Sequence, residues 1–93
     1  MQLKWTRKAQ SDIVRLYDFL APIKRKTAAR IVQSLLAAPK RLLEFPRIGE
    51  PLDEFRPREA RRILAGPYEI RYEIQEATIF VLRVWHTRED RGE

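Results

Sequence analysis

Residues 68–75, Tyr68-Glu69-Ile70-Arg71-Tyr72-Glu73-Ile74-Gln75, alternate strictly between apolar side chains and charged or polar ones. Successive side chains of a strand point to opposite faces, so this stretch reads as a strand with one buried and one polar face. Two residues later comes Thr78-Ile79-Phe80-Val81-Leu82-Arg83-Val84-Trp85-His86. That run is more apolar than alternating, as expected of a central strand covered on both faces. The short connection at Glu76-Ala77 makes the two an antiparallel pair. Upstream, Gly66-Pro67 is a turn signal, and Ala60 to Ala65, with Ile63 and Leu64, supplies a strand before it. The last third of the chain is therefore a three-stranded meander.

Working outward, the first two-thirds change period. Gln2 to Trp5 reads as a short strand with Leu3 and Trp5 on one face. Thr6 suits a helix N-cap, because its hydroxyl can accept from a free backbone N–H ahead of it. Ala9, Ile13, Leu16, Tyr17 and Leu20 then fall at helical spacing, and the helix ends before Pro22. A second helix starts near Thr27, with Ala28, Ile31, Val32 and Leu35 as its stripe. Pro39 predicts a kink, or a break with Pro39 opening a new short helix. Pro46, Gly49 and Pro51 mark an irregular loop running to about Pro57. The expected fold is α+β in the order β-α-α-β-β-β, with the two N-terminal helices packed on one face of a small antiparallel sheet. Residues 1–93 form one domain, with a short, loose polar tail at about 87–93.

Composition narrows the chemistry. The 93 residues contain no cysteine and one histidine, His86. A disulfide framework, a thiolate zinc site, a cysteine nucleophile and a poly-imidazole metal site are excluded. No metal or cofactor site is expected. The first eight residues are polar, without the apolar stretch of a secretion signal, and no apolar run approaches the roughly 20 residues of a membrane span. The expectation is a cytoplasmic protein with no membrane contact. Net charge is +6, from 19 Lys and Arg against 13 Asp and Glu. Such a surface favours an acidic partner or a polyanion, without choosing between them, and a plain solvated basic surface explains it as well.

Several stretches together resemble the ParE/RelE superfamily of toxins, the poison half of type II toxin–antitoxin pairs. They are Leu3-Lys4-Trp5-Thr6 with the helix Asp12-Ile13-Val14-Arg15-Leu16-Tyr17; Ala28-Ala29-Arg30-Ile31-Val32; the loop Phe45-Pro46-Arg47-Ile48-Gly49-Glu50-Pro51; Arg62-Ile63-Leu64 with Gly66-Pro67-Tyr68-Glu69-Ile70-Arg71-Tyr72; and Val81-Leu82-Arg83-Val84-Trp85-His86-Thr87-Arg88. No single motif is specific; their order and spacing are, and they span nearly the whole chain. The resemblance implies a toxin held inactive, as a hetero-oligomer, by an antitoxin that wraps a C-terminal segment over it. It implies either DNA gyrase or messenger RNA on the ribosome as target, with DNA contacted only through the antitoxin. Given the charge of +6, the wrapping segment is expected to be acidic.

RNA cleavage needs a group to deprotonate the 2′-hydroxyl, one to stabilise charge on the phosphate and one to protonate the leaving oxygen. In the RNA-cutting branch a basic residue typically follows the aromatic that opens the third strand; here Glu69 follows Tyr68, and a carboxylate repels phosphate. Some members of that branch end on His-Tyr; here Thr87 follows His86. The sequence thus leans to a ParE-like gyrase inhibitor without catalytic residues, the ribosome-dependent endoribonuclease being the alternative. If the chain is a nuclease, Arg71, Arg83, His86 and Arg88 are its candidates. The candidates for contact with target or antitoxin are Arg61, Arg62, Arg71, Trp85, His86 and Arg88.

Each has a plainer reading beside it. Strict alternation puts His86 on a face with Phe80, Leu82 and Val84, where a satisfied histidine at a sheet edge is the simpler account. The same alternation puts Arg83 with Ile79, Val81 and Trp85, paired to Glu69 or Glu73. Arg61 and Arg62 point to opposite faces. Arg71 with Glu69 and Glu73 reads as a solvated ion-pair ladder, and Trp5 and Trp85 as core anchors.

Overall fold

A computed structural model describes residues 1–89. Strand β1 (Gln2–Trp5) leads into helix α1 (Arg7–Leu20), and α2 (Arg25–Ala37) follows a short turn. A 3₁₀ helix (Ala38–Leu43) continues from α2. Then come β2 (Glu50–Pro51), a 3₁₀ turn (Asp53–Phe55), β3 (Glu59–Ala65), β4 (Tyr68–Gln75) and β5 (Thr78–His86). The strands form one sheet in the order β1-β5-β4-β3-β2. The pairs β2–β3, β3–β4 and β4–β5 are antiparallel, whereas β1 joins β5 in parallel. The meander and the two helices stand as the sequence implies. The two-residue β2, inside the loop expected to be irregular, is an addition.

Local chemistry accounts for the boundaries. The Thr6 hydroxyl accepts from the Ala9 N–H at 3.1 Å and caps α1. Pro39 ends α2 and sits in the first turn of the 3₁₀ helix, where its missing N–H has no partner to lose. The β3–β4 turn needs a left-handed residue, and Gly66 takes it at φ +60°. The loop after the 3₁₀ helix hangs on Tyr72. Its buried hydroxyl donates to the Pro46 carbonyl at 2.7 Å and accepts the Gly49 N–H at 3.0 Å. A Cβ on Gly49 would stand 2.5 Å from that hydroxyl oxygen and 2.7 Å from the Arg62 carbonyl, so only glycine lets the chain pass.

One sheet face is covered. Ala9, Leu16 and Leu35 of the helices pack on Tyr68, Ile70, Val81 and Val84, with Leu3 and Trp5 at the margin. A second group, Leu42 with Tyr72, Ile74 and Ile79, lies beneath the 3₁₀ helix. Burying a large aliphatic side chain contributes roughly 1.5–3 kcal/mol, so these residues hold the helices to the sheet.

The register breaks once. Arg71 pairs with Arg83 but Tyr72 pairs with Val81, leaving Leu82 as an extra residue in β5. A bulge of one residue exchanges the faces of everything after it. Strict alternation therefore fails beyond Leu82. Val84 joins Ile79 and Val81 on the covered face and takes His86 with it, while Arg83 and Trp85 move to the open face.

Beyond Trp5, β1 no longer flanks β5, and α1 seals the exposed edge. Thr6 Oγ1 donates to the Leu82 carbonyl at 3.1 Å, Asp12 accepts the Val84 N–H at 2.8 Å, and Arg15 donates to the Val84 carbonyl at 3.2 Å. An unpaired strand edge invites another chain, and this one is closed by side chains. Glu89 completes it, accepting from His86 N at 3.1 Å and from Arg15 Nε at 2.8 Å. The tail expected to be loose from 87 is thus tied down as far as Glu89; residues 90–93 lie outside the described residues. Among the described residues no helix is long and apolar enough to cross a membrane.

Candidate functional site

The open face carries a row of arginines. Arg62 of β3 pairs in register with Arg71 of β4, and Arg71 with Arg83 of β5. Like charges opposite one another on neighbouring strands destabilise a sheet, so such a row needs counter-ions. Glu69 supplies them on one side. It accepts from Arg62 NH1 at 3.1 Å and from Arg71 Nε at 3.0 Å, and is 1 % exposed. Asp12 of α1 supplies them on the other. It accepts from Arg83 Nε at 2.9 Å and Arg83 NH2 at 3.1 Å, is also bonded to Arg15, and is 2 % exposed. Further along β4, Glu73 accepts from Arg58 Nε at 3.1 Å.

The charge states follow from these partners. Burial alone would raise the Asp12 carboxyl; the Arg83 guanidinium, the Val84 N–H and Arg15 outweigh it, and its pKa falls below the ordinary aspartate value. The Arg58 guanidinium likewise holds the Glu73 carboxyl low against a smaller effect of burial. At Glu89 burial pulls upward and Arg15 and the His86 N–H pull down further. All three carboxylates are therefore charged near neutral pH.

Trp85 forms the floor. The guanidinium carbons of Arg71 and Arg83 each lie 4.8 Å from its ring centroid, and Arg71 also lies 5.8 Å from that of Phe55. At such distances a guanidinium is attracted to the ring face. Arg58, Arg71, Arg83 and Lys8 line a groove of about 370 Å³, with Leu52, Phe55, Leu82 and Trp85 among its apolar lining.

The candidate residues divide between two faces. Arg62, Arg71, Arg83 and Trp85 meet on the open one. Arg61 points the other way, as its neighbour's placement requires, and donates to the Gly49 carbonyl at 2.8 Å, holding the loop. His86 lies on the helix side. Its ring packs edge-on against Tyr68 at 5.2 Å, and its Nδ1 accepts the Arg88 N–H at 3.1 Å. His86 and Arg88 line a separate, largely apolar cleft of about 460 Å³ with Leu16, Phe19 and Leu20. The four nuclease candidates are thus not one site.

Three expectations are corrected. Arg83 pairs with Asp12, which reaches the β5 edge and also takes the Val84 N–H, and not with Glu69 or Glu73. Glu69 and Glu73 are buried, so the ladder with Arg71 is not solvated. Face-sharing beyond Leu82 is exchanged, as described above. Asp12, Arg58, Phe55 and Lys8 went unnoticed as site residues. Asp12 had a signal, since it is a carboxylate between Ala9 and Leu16 on the buried stripe of α1.

The structure is a small α+β domain with a face of paired arginines, and the family it matches is one of toxins of the type II toxin–antitoxin class. The family model described as "ParE toxin of type II toxin-antitoxin system, parDE" matches residues 3–91, and the chain belongs to that family. It is similar to "Toxin RelE2" of Caulobacter vibrioides, 28 % identical over 85 residues, covering 91 % of this chain and 93 % of the relative. It is also similar to a solved structure titled "Chromosomal ParDE TA system from P. aeruginosa", with TM-score 0.74 and 25 % identity, covering 92 % of this chain and 95 % of that one. Membership implies an antitoxin partner.

Proposed function

We propose that this toxin arrests growth by inhibiting DNA gyrase through a contact surface, without catalysis of its own, in the cytoplasm, until its cognate antitoxin neutralises it. The observation that carries this reading is the division of the polar candidates. Arg71 and Arg83, the groups able to meet a phosphate, are engaged by Glu69 and Asp12, and the histidine stands on the opposite face of the sheet. General acid–base catalysis needs the proton-transfer group within hydrogen-bond reach of the reacting atoms. No histidine accompanies the arginine row, and Thr87 is no acid or base near neutral pH.

The endoribonuclease remains the second reading. The groove lined by Arg58, Arg71 and Arg83 favours it, as does the likeness to a protein named RelE2. The experiment pairs two assays on the purified chain, gyrase supercoiling and cleavage against cutting of messenger RNA on programmed ribosomes. Gyrase inhibition with intact RNA is the expected result; cut RNA with unaffected gyrase overturns the proposal. The antitoxin segment that covers the chain is read as acidic, so association is expected to slow as salt rises.

A further inference from the structure

We infer that Glu69 and Asp12 determine which class of partner the open face accepts. As internal counter-ions they take part of the donor set of the arginine row and neutralise most of its charge, and so disfavour the phosphodiester backbone of a nucleic acid. This rests on the reading of the face as a protein-contact surface.

Donor geometry comes first. A phosphate is held by guanidinium N–H groups in the plane of the fork. On Arg83 two of these, Nε and NH2, already reach Asp12; on Arg71 the Nε reaches Glu69, and on Arg62 the NH1 does. On Arg83 a phosphate would have to displace Asp12 from the Nε–NH2 edge, and at Arg62 and Arg71 it would have to share the guanidinium with a carboxylate already bound to it.

Charge comes second. Among the described residues, Lys8, Arg58, Arg71 and Arg83 line the groove, and with Arg62 and Arg15, which share Glu69 and Asp12, they stand against the carboxylates of Asp12, Glu50, Glu69, Glu73 and Glu89. About one positive charge is left. Nucleic-acid affinity grows with the number of phosphates neutralised, by roughly 0.7 in the slope of log affinity against log salt for each phosphate of a single strand. A face that neutralises one phosphate gives a small slope and little affinity.

Rigidity comes third. Both carboxylates are buried, Asp12 also holds a β5 backbone N–H, and Arg71 and Arg83 rest against Trp85. Moving either carboxylate out to make room would break these bonds and leave donors such as the buried Val84 N–H unsatisfied, which is disfavoured.

The test uses the full chain, a ten-nucleotide oligouridylate and, separately, inorganic phosphate, following the Trp85 indole N–H and the arginine Nε–H signals by NMR. In the unaltered protein these signals are expected to stay in place up to millimolar ligand at low salt. Glu69→Gln and Asp12→Asn keep the shape and remove one negative charge each. The double variant is expected to bind the oligonucleotide at least about tenfold more tightly, as hydrogen bonds to charged groups of about 1.5–3 kcal/mol allow, with a steeper salt dependence. Saturable binding at Trp85 by the unaltered protein overturns the inference. So does a folded variant, judged by an intact β5 amide pattern, that gains nothing. Should the double variant not fold, each single variant and the unaltered protein carry the test. The gyrase assay is read separately: no gyrase inhibition, with the face still closed to RNA, defeats the target and leaves this inference standing.

Discussion

Replacing Tyr72 by phenylalanine removes one oxygen, and the structure sets the consequence. That hydroxyl is the donor to the Pro46 carbonyl at 2.7 Å and the acceptor of the Gly49 N–H at 3.0 Å. Phenylalanine fits the same space, so no cavity beyond the hydroxyl arises. The Gly49 N–H is then left in a buried place without an acceptor, which costs about 1–3 kcal/mol; the half-buried Pro46 carbonyl loses less, since water can reach it. A total of about 2 kcal/mol, at roughly 4–8 °C per kcal/mol for a domain of this size, lowers Tm by roughly 8–16 °C. Calorimetry of the two proteins at neutral pH measures it. Gly49→Ala makes the companion. In the Tyr72 background its Cβ meets the hydroxyl oxygen at 2.5 Å, whereas in the phenylalanine background that contact is gone and only the Arg62 carbonyl at 2.7 Å and the ring carbon at 2.8 Å remain. The double variant is therefore less damaged than the two single effects added together, as contacting sites should behave. A Tm shift for Tyr72→Phe below about 3 °C, or strict additivity with Gly49→Ala, would refute the account of the loop as hung on this hydroxyl.

Other perturbations test the site. Asp12→Ala leaves Arg83 and the Val84 N–H without their acceptor, and is expected to lower stability by about 2 kcal/mol, below the 3–5 of a fully buried pair because Arg83 is partly exposed; amide exchange should quicken first at Val84 to His86, and unchanged exchange there would contradict the edge seal. The pKa values of Asp12, Glu59, Glu73 and Glu89 are lowered in the folded chain. Their contribution is fully present above the unfolded carboxylate value of about 4 and is lost as pH falls through the lower folded values. The urea midpoint should hold from pH 7 to about 5 and drop below 4, and a midpoint unmoved at pH 3 would show the ion pairs to be idle. His86→Ala is expected to leave gyrase inhibition within about twofold of the parent, since its ring faces Tyr68 and not the arginine row; loss of activity without loss of folding would put the functional surface on the helix side.

The fold was legible because its periods are clean. Tyr68 to Gln75 alternate without exception and line one buried face with Tyr68, Ile70, Tyr72 and Ile74. Thr6 and Pro39 announce their boundaries by chemistry that needs no tertiary context. The two-residue β2 was not legible, because Glu50-Pro51 joins the sheet only through the loop that Tyr72 and Arg61 hold in place.

The site was half legible, and a single residue made the difference. Arg62, Arg71 and Trp85 could be picked out from the sequence, but their neighbours were assigned by alternation, and alternation fails at Leu82. In an apolar run such as Phe80-Val81-Leu82-Arg83-Val84-Trp85, either face can take an apolar side chain, so nothing local marks the extra residue. What fixes the bulge lies elsewhere. Thr6 takes the Leu82 carbonyl and Asp12 takes the Val84 N–H, gripping β5 from α1 on both sides of Arg83. The same Asp12 then neutralises the arginine that the bulge turns to the open face. One carboxylate far away in sequence thus serves both edge closure at Val84 and charge pairing at Arg83. For that reason the pairing of the arginine row can be read only once helix and strand are brought together.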